Sequence, residues 1–313
     1  MSLDRVLYNF ARRGVMPWMK GIVGSGPLSV DSQGRMISMD VGRSFYVAGN
    51  FGDDTNDGSS WDKAFKTFAA AITANNADVA ADKYGWATRN RIYISGDTFE
   101  ETLVAFPNKC DVIGVGSYDA NLMAGITGNH APVNAGNYGT RFINVHLKGA
   151  AVAGPIITLA STTSGLALWE CLLDAPVSGT TNTIGVQATA SPFLQIVNNK
   201  FRGPFSASFV TFGAGEAGGS RIVGNEMLDG ADNGIVVNAS TTTSWKSVIA
   251  DNLIECADLT IDDNSDLFVI KNNILISGEN VGASSYDFNV ALASLNYLTG
   301  ADKTSLIPAL AAL

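Results

Sequence analysis

A six-residue phrase recurs along the second half of the chain and restricts its fold more than any other feature. It reads Ile196-Val197-Asn198-Asn199-Lys200-Phe201, then Ile222-Val223-Gly224-Asn225-Glu226-Met227, Ile249-Ala250-Asp251-Asn252-Leu253-Ile254 and Ile270-Lys271-Asn272-Asn273-Ile274-Leu275. Looser copies begin at Phe142 and Leu168, so starts at 142, 168, 196, 222, 249 and 270 are separated by 26, 28, 26, 27 and 21 residues. A period in the twenties marks a solenoid, in which each unit covers its neighbour's apolar face. Each copy sets apolar β-formers on both sides of a polar pair, and Asn199, Asn225, Asn252 and Asn273 share one column. Asn tolerates left-handed backbone, so these four are expected at a sharp bend between two strands. Stacked at the strand spacing of about 4.8 Å, their side chains would hydrogen-bond along the column. Leucine-rich repeats would show Leu at short fixed intervals, and helical repeats would not be rich in Gly, Thr, Asn and Val. The reading is an all-β parallel β-helix.

Composition narrows the partners. Charged residues make up 16 % of the 313 residues against 46 % hydrophobic, where soluble domains carry roughly 25 % charge. Low charge suits stacked strands and leaves surface for partner subunits, with a homotrimer expected. The net charge of −9, with no Lys/Arg cluster to offset it, argues against a nucleic-acid partner. Cys110, Cys171 and Cys256 lie too far apart for a CxxC site and read as small core residues. No stretch reads as a signal peptide or membrane span, so synthesis in a cytoplasm is expected. Near the start, Leu3, Val6, Leu7 and Phe10 fall on one helical face that ends by Pro17 and Gly21. That short helix, with a hairpin over 28–39 turning at 31–34, makes residues 1–40 an N-terminal arm suited to docking or oligomer contact.

Phe45-Tyr46-Val47 reads as a strand, followed by the Gly/Asp/Asn loop 49–58 and a helix opening at Ser59. Ser59 and Asp62 suggest a capping-box start, with Trp61, Phe65, Phe68 and Ile72 along one face. Residues 91–103 then read as a first rung. Strand, loop, helix and rung together resemble the leading segment of right-handed β-helix proteins of the pectate-lyase-like superfamily, including bacteriophage virion proteins. The resemblance covers residues 45–103 by motif and 104–280 by periodicity. It implies a right-handed solenoid of about seven rungs over 91–280, a capping helix within 41–90 that closes the lower end, and a terminal cap or interface segment over 281–313. Residues 120–139 read as an inserted loop. Second strands recur at 155–159, 183–186, 208–212, 234–237 and 259–261.

Chemistry is sparse in the sequence. Asp53 and Asp57 invite a calcium loop, but the pattern puts Thr55 third and Ala64 twelfth, where a Glu is required; turn and capping roles explain these acids. His130 and His146 read as structural or solvated. Asp229 and Glu255 fall within about one rung of each other with Glu226 nearby, and a carboxylate pair at about 5–9 Å can serve a glycosidase. These three are the catalytic candidates, against solvated surface acids as the commoner explanation. Trp169 and Trp245 fall near equivalent places in two rungs, thin support for a glycan-binding row. No metal or cofactor is expected. Two function classes follow. One is a structural virion protein of a bacteriophage, a capsid decoration or spike held among other virion proteins by Leu3, Val6, Leu7 and Phe10. The other is a polysaccharide lyase or glycoside hydrolase of the β-helix type, acting on host surface glycan.

Overall fold

A computed structural model describes residues 29–30, 36–38, 42–81, 88–116, 123–133, 139–160, 165–176, 182–215, 217–238, 246–256, 259–263, 268–276 and 279–281. Three sheets of parallel strands wrap one core. The first holds nine strands, from Ser44–Val47 through Asn90–Ile94, Cys110–Gly114, Arg141–Ile143, Ala167–Trp169, Gln195–Val197, Arg221–Val223 and Ser247–Ala250 to Phe268–Lys271. The second holds eight, from Thr98–Glu100 to Ile274–Ile276, and the third six, from Ile157–Leu159 to Glu279–Val281. Strands adjacent within a sheet lie one turn apart in sequence. The chain is a parallel β-helix.

Register follows from which alternate residues are apolar. In the first sheet Phe45, Ile92, Val112, Phe142, Leu168, Ile196, Ile222, Ile249 and Ile270 pair in one unbroken column. All are buried. A one-residue slip would turn that whole column to solvent, and at about 1.5–3 kcal/mol per buried large apolar side chain no other register competes. Leu147, Leu173, Phe201, Met227 and Ile254 form the matching column of the second sheet. Phe201, Phe205 and Phe209 fill the space between sheets with ring centroids 5.6–6.4 Å apart.

The Asn column is a buried ladder. Asn199 Nδ2 donates to Asn225 Oδ1 at 3.0 Å, Asn225 Nδ2 to Asn252 Oδ1 at 2.8 Å, and Asn252 Nδ2 to Asn273 Oδ1 at 2.8 Å. Each Oδ1 also accepts the backbone N–H of the ladder residue one rung below, and each Nδ2 also donates to a carbonyl of that lower rung, such as Ile196 O from Asn225. The ladder residues are not, however, the left-handed ones. Positive φ belongs to the residue before each: Asn144 at 55°, Glu170 at 54°, Asn198 at 56°, Gly224 at 70°, Asp251 at 57° and Asn272 at 54°. The polar pair thus divides the work. Its first member turns the chain and its second holds the stack. Below the ladder Cys171 takes the equivalent place, its Sγ 3.4 Å from Phe142 O.

Other expectations change. Residues 124–127 form a strand of the second sheet between Thr98–Glu100 and Val145–Lys148, so that stretch is part of a rung rather than of an inserted loop. The spacing from Cys110–Gly114 to Ala124–Thr127 is longer than the one from first to second sheet in later rungs, which disguised the repeat. The helix spans Phe68–Ala80, not from Ser59. Trp61 lies in a separate 3-10 turn against Tyr46, and Phe65 bridges to Val47 as a short strand contact. The actual N-cap is Thr67, and Glu101 from the first rung accepts the Phe68 and Ala69 N–H groups at 2.8 Å each. Phe68, Ala71, Ile72 and Asn75 are the helix's buried face. Strands Ser29–Val30 and Met36–Ser38 pair antiparallel, as the hairpin reading expects. Leu3, Val6, Leu7 and Phe10 lie outside the described residues, as do most of 281–313 and Trp245.

Candidate functional site

Because inward positions of the strands are apolar, chemistry can reside only on the outward ones. In the third sheet, one outward register column is Thr158, Gln187, Thr211, Val236 and Asp262, with a single acid among five residues. The first sheet concentrates its charge at one point. Asp111 receives Arg141 in a two-pronged contact, Nε to Oδ1 at 2.5 Å and Nη2 to Oδ2 at 2.6 Å, and Arg89 Nη2 on Oδ1 at 2.6 Å. Burial opposes ionisation of Asp111, but the Arg141 hydrogen bonds and the Arg89 charge outweigh it and hold the carboxyl below the usual range. The Arg141 guanidinium also lies 5.2 Å from the Trp169 ring centre. This cluster ties neighbouring rungs together and has no proton to give.

The second sheet carries the most varied outward face. Counted from the left-handed residue of each bend, the second position holds His146, Leu172, Lys200, Glu226 and Leu253. The fourth position holds Lys148, Asp174, Arg202 and Glu255, with Glu100 and Thr127 continuing that column downward. Asp174 Oδ2 lies 3.3 Å from His146 Nε2 and 3.0 Å from Arg202 Nη2. Burial opposes its ionisation too, but the His146 hydrogen bond and the Arg202 contact prevail, and its pKa is lowered. At the column's lower end an open cleft of about 440 Å³ is lined by Glu100, Thr102, Thr127, Lys148, Ala150 and Pro176.

The three catalytic candidates all belong to strands of this sheet. Glu226 is in contact with Lys200 at 3.2 Å, both being about half exposed. Glu255 is exposed on the outer face. Asp229 falls in a bulge between the Met227–Ile254 and Ala231–Cys256 pairings. By count from the bend, Leu228 rather than Asp229 is the partner position of Glu255, and the bulge breaks that count; the Asp229 side chain lies outside the described residues. Trp169 pairs with Ile143 and Val197 in a column that continues to Val223 and Ala250.

The remaining acids and histidines have local roles. Asp53 accepts Thr55 N and Oγ1, Asp57 accepts Ser59 N and Oγ, and Asp54 accepts Lys66 N, Thr67 N and Thr67 Oγ1, which accounts for the Gly/Asp loop as turn chemistry. Among the described residues no three His, Cys, Asp or Glu side chains converge as a metal site would require. His130 is fully buried, accepts Leu103 N at Nδ1, and has its pKa pushed down to about 4 by burial. The Asp174 cluster and the cleft were missed in the sequence. The signal was there: the same count that aligns the Asn column puts Lys148, Asp174, Arg202 and Glu255 in register.

No family model matches this chain, and no curated protein does. Among solved structures, the pectin methylesterase from Aspergillus niger matches 83 % of this chain and 92 % of its own, with 14 % identity and a TM-score of 0.36. A likeness that loose says nothing of chemistry.

Proposed function

We propose that this chain is a non-catalytic structural β-helix, a decoration or spike component of a bacteriophage particle, held to other virion proteins through residues 1–40 and assembled as a homotrimer. The observation that supports a non-catalytic role is how the outward ionisable groups are used. Asp111 is shared by two arginines, Asp174 by His146 and Arg202, Glu226 by Lys200, and Glu101 by the helix N-terminus. A general acid works near neutral pH only when its carboxyl is pushed upward. The described carboxyls that move, Asp53, Asp57, Asp111 and Asp174, all move down. The phage setting rests on the resemblance carried by the strand, Gly/Asp loop and helix of residues 45–103.

One observation favours the second reading, a polysaccharide-cleaving enzyme: the strands bearing Asp229 and Glu255 are neighbours across a bulge, and bulges gather beside active sites. Incubating purified protein with the surface polysaccharide of the host separates the two readings. Unchanged polymer length by size-exclusion chromatography is expected. Shortening that disappears in both Asp229→Asn and Glu255→Gln variants would instead establish the enzyme.

A further inference from the structure

The outer face of the first sheet differs from the other two. One of its outward columns runs from Tyr46 and Tyr93 through Ile143 and Trp169 to Val197 and Val223, with an apolar or aromatic residue at every rung. All of these side chains remain partly exposed. Outward columns of the second and third sheets instead carry residues such as Lys148, Asp174 and Arg202, or Thr158, Gln187 and Thr211. A sheet face left to water is polar, so an unbroken apolar line across one marks a surface that something covers.

Phe193 stands at one margin of this face. Lys109, Gly139, Gly165, Phe193 and Gly219 share one register, each two residues before a position of the paired column that runs from Asp111 to Arg221. All five are left-handed, with φ of 45°, 79°, 71°, 60° and 73°. Glycine adopts that backbone without strain, and phenylalanine does not. Phe193 is also 43 % exposed, so full burial does not offset the strain. Its ring reaches over the next rung, where a Cβ on Gly219 would lie 2.5 Å from Phe193 Cδ1. Strained backbone that holds an aromatic ring at the surface points to a contact made there.

The two margins differ in charge. Where the chain enters the sheet, Arg89 and Arg141 share the single carboxylate of Asp111, and Arg221 is exposed. Where it leaves, the bend residues Glu170 and Asp251 are exposed. Among the described residues Arg221, Glu170 and Asp251 form no ion pair.

We propose that further copies of this chain cover this face, with solenoid axes parallel and the basic margin of each copy against the acidic margin of the next. This arrangement rests on the homotrimer reading above and gives it a surface. Rotation about an axis along the solenoids brings entry margin to exit margin, so Arg221 meets the side that bears Glu170 and Asp251. Antiparallel copies would set arginine against arginine. From Tyr46 to Ala250 the column crosses eight strands. At about 4.8 Å per strand and about 3.3 Å per residue, the face measures roughly 34 Å by 16 Å. Three such faces turned inward hide on the order of 1,500 Å², a standard amount for a stable assembly. Phe193 of one copy then reaches the apolar column of its neighbour.

Sedimentation velocity of the full chain over a range of concentrations tests this, with melting midpoints as the control for folding. Wild-type protein is expected to sediment as a trimer. Val197→Glu combined with Val223→Glu, both at outward positions, should raise the concentration of half-dissociation at least about tenfold. Phe193→Gly should weaken the trimer too, while the melting midpoint of the dissociated subunit holds or rises, because glycine accepts the left-handed backbone. Arg221→Glu should weaken assembly, and adding Asp251→Arg to it should restore assembly by reversing both margins. An undiminished trimer in the Val197/Val223 variant or in Phe193→Gly would overturn the face and leave the trimer reading standing. Failure of Asp251→Arg to rescue Arg221→Glu would overturn the parallel pairing of margins. A monomeric wild-type chain would overturn the trimer reading and the face with it. A Val197/Val223 variant that stays trimeric but no longer co-sediments with particles would assign the face to a different virion protein and overturn the proposal.

Discussion

His130 shows how far a single side chain can set the response of the molecule to acid. It sits in the core with no exposure, accepts one backbone N–H at Nδ1, and has its Nε2 buried without a partner. Charging it there would place an imidazolium in an apolar interior, which is why burial lowers its pKa to about 4. An unfolded histidine titrates near 6.5. Between those values the unfolded chain binds a proton that the folded chain refuses, so stability falls as pH drops from about 6.5 to about 4, at up to roughly 1.4 kcal/mol per pH unit. Asp111 and Asp174 act in a different window. Their lowered pKa values mean that their contribution is complete above the ordinary carboxylate range and is lost only as pH falls through it and below. Melting temperatures between pH 7 and 4.5 should therefore fall in wild-type protein and fall much less in His130→Gln, which keeps an acceptor for Leu103 N. An identical decline in both would remove His130 from the account.

The bend and its ladder form an element in which the two residues of each polar pair have opposite requirements. At the first, the backbone is left-handed and the side chain is free to vary, as Asn144, Glu170, Asn198, Gly224, Asp251 and Asn272 show. At the second, the backbone is ordinary and the side chain is confined to a buried column. Asn225→Val should therefore act through hydrogen bonds, not through φ. It strips the acceptor from Asn199 N and Asn199 Nδ2, at about 1–3 kcal/mol for each buried donor left unmade. Asn198→Val should cost less, about 1–2 kcal/mol, because only the left-handed conformation resists it, and Asn198→Gly should be close to neutral. Denaturant titration of the three variants checks the order; a larger loss in Asn198→Val than in Asn225→Val would reverse the assignment. The column itself was legible in the sequence because four Asn recur at one phase. Which member of the pair turned was not, since Asn suits both positions and only Gly224 and Asp251 hint that the first tolerates exchange. The helix start was misread for a related reason: Ser59 has the local pattern of a cap, whereas the true partner of the first turn, Glu101, comes from a distant rung. Local spacing cannot show a contact made across the fold. For the candidate site, the apolar phase was plain, but the bulge between Met227 and Ala231 interrupts the pairing with the neighbouring strand, so counting along the repeat could not set Asp229 against Glu255.

At the scale of the molecule, a solenoid's stability is nearly a sum over neighbouring rungs, so a segment outside the stack can be removed without unravelling it. The first-sheet core column runs without a break from Phe45 to Ile270, and the lower rungs are closed by the helix Phe68–Ala80, whose N-terminus Glu101 secures. If residues 1–40 serve as the arm, the apolar positions Leu3, Val6, Leu7 and Phe10 are spent on another protein, and their loss should separate folding from assembly. Deleting residues 1–24 is expected to leave the melting midpoint within a few degrees of wild type and to abolish incorporation into the particle, scored by co-sedimentation with assembled virions. The quadruple substitution of Leu3, Val6, Leu7 and Phe10 by Ser should do the same with the chain length kept. A truncated protein that still sediments with the particle would place its attachment elsewhere on the solenoid, and one that fails to fold would show that these residues belong to the core.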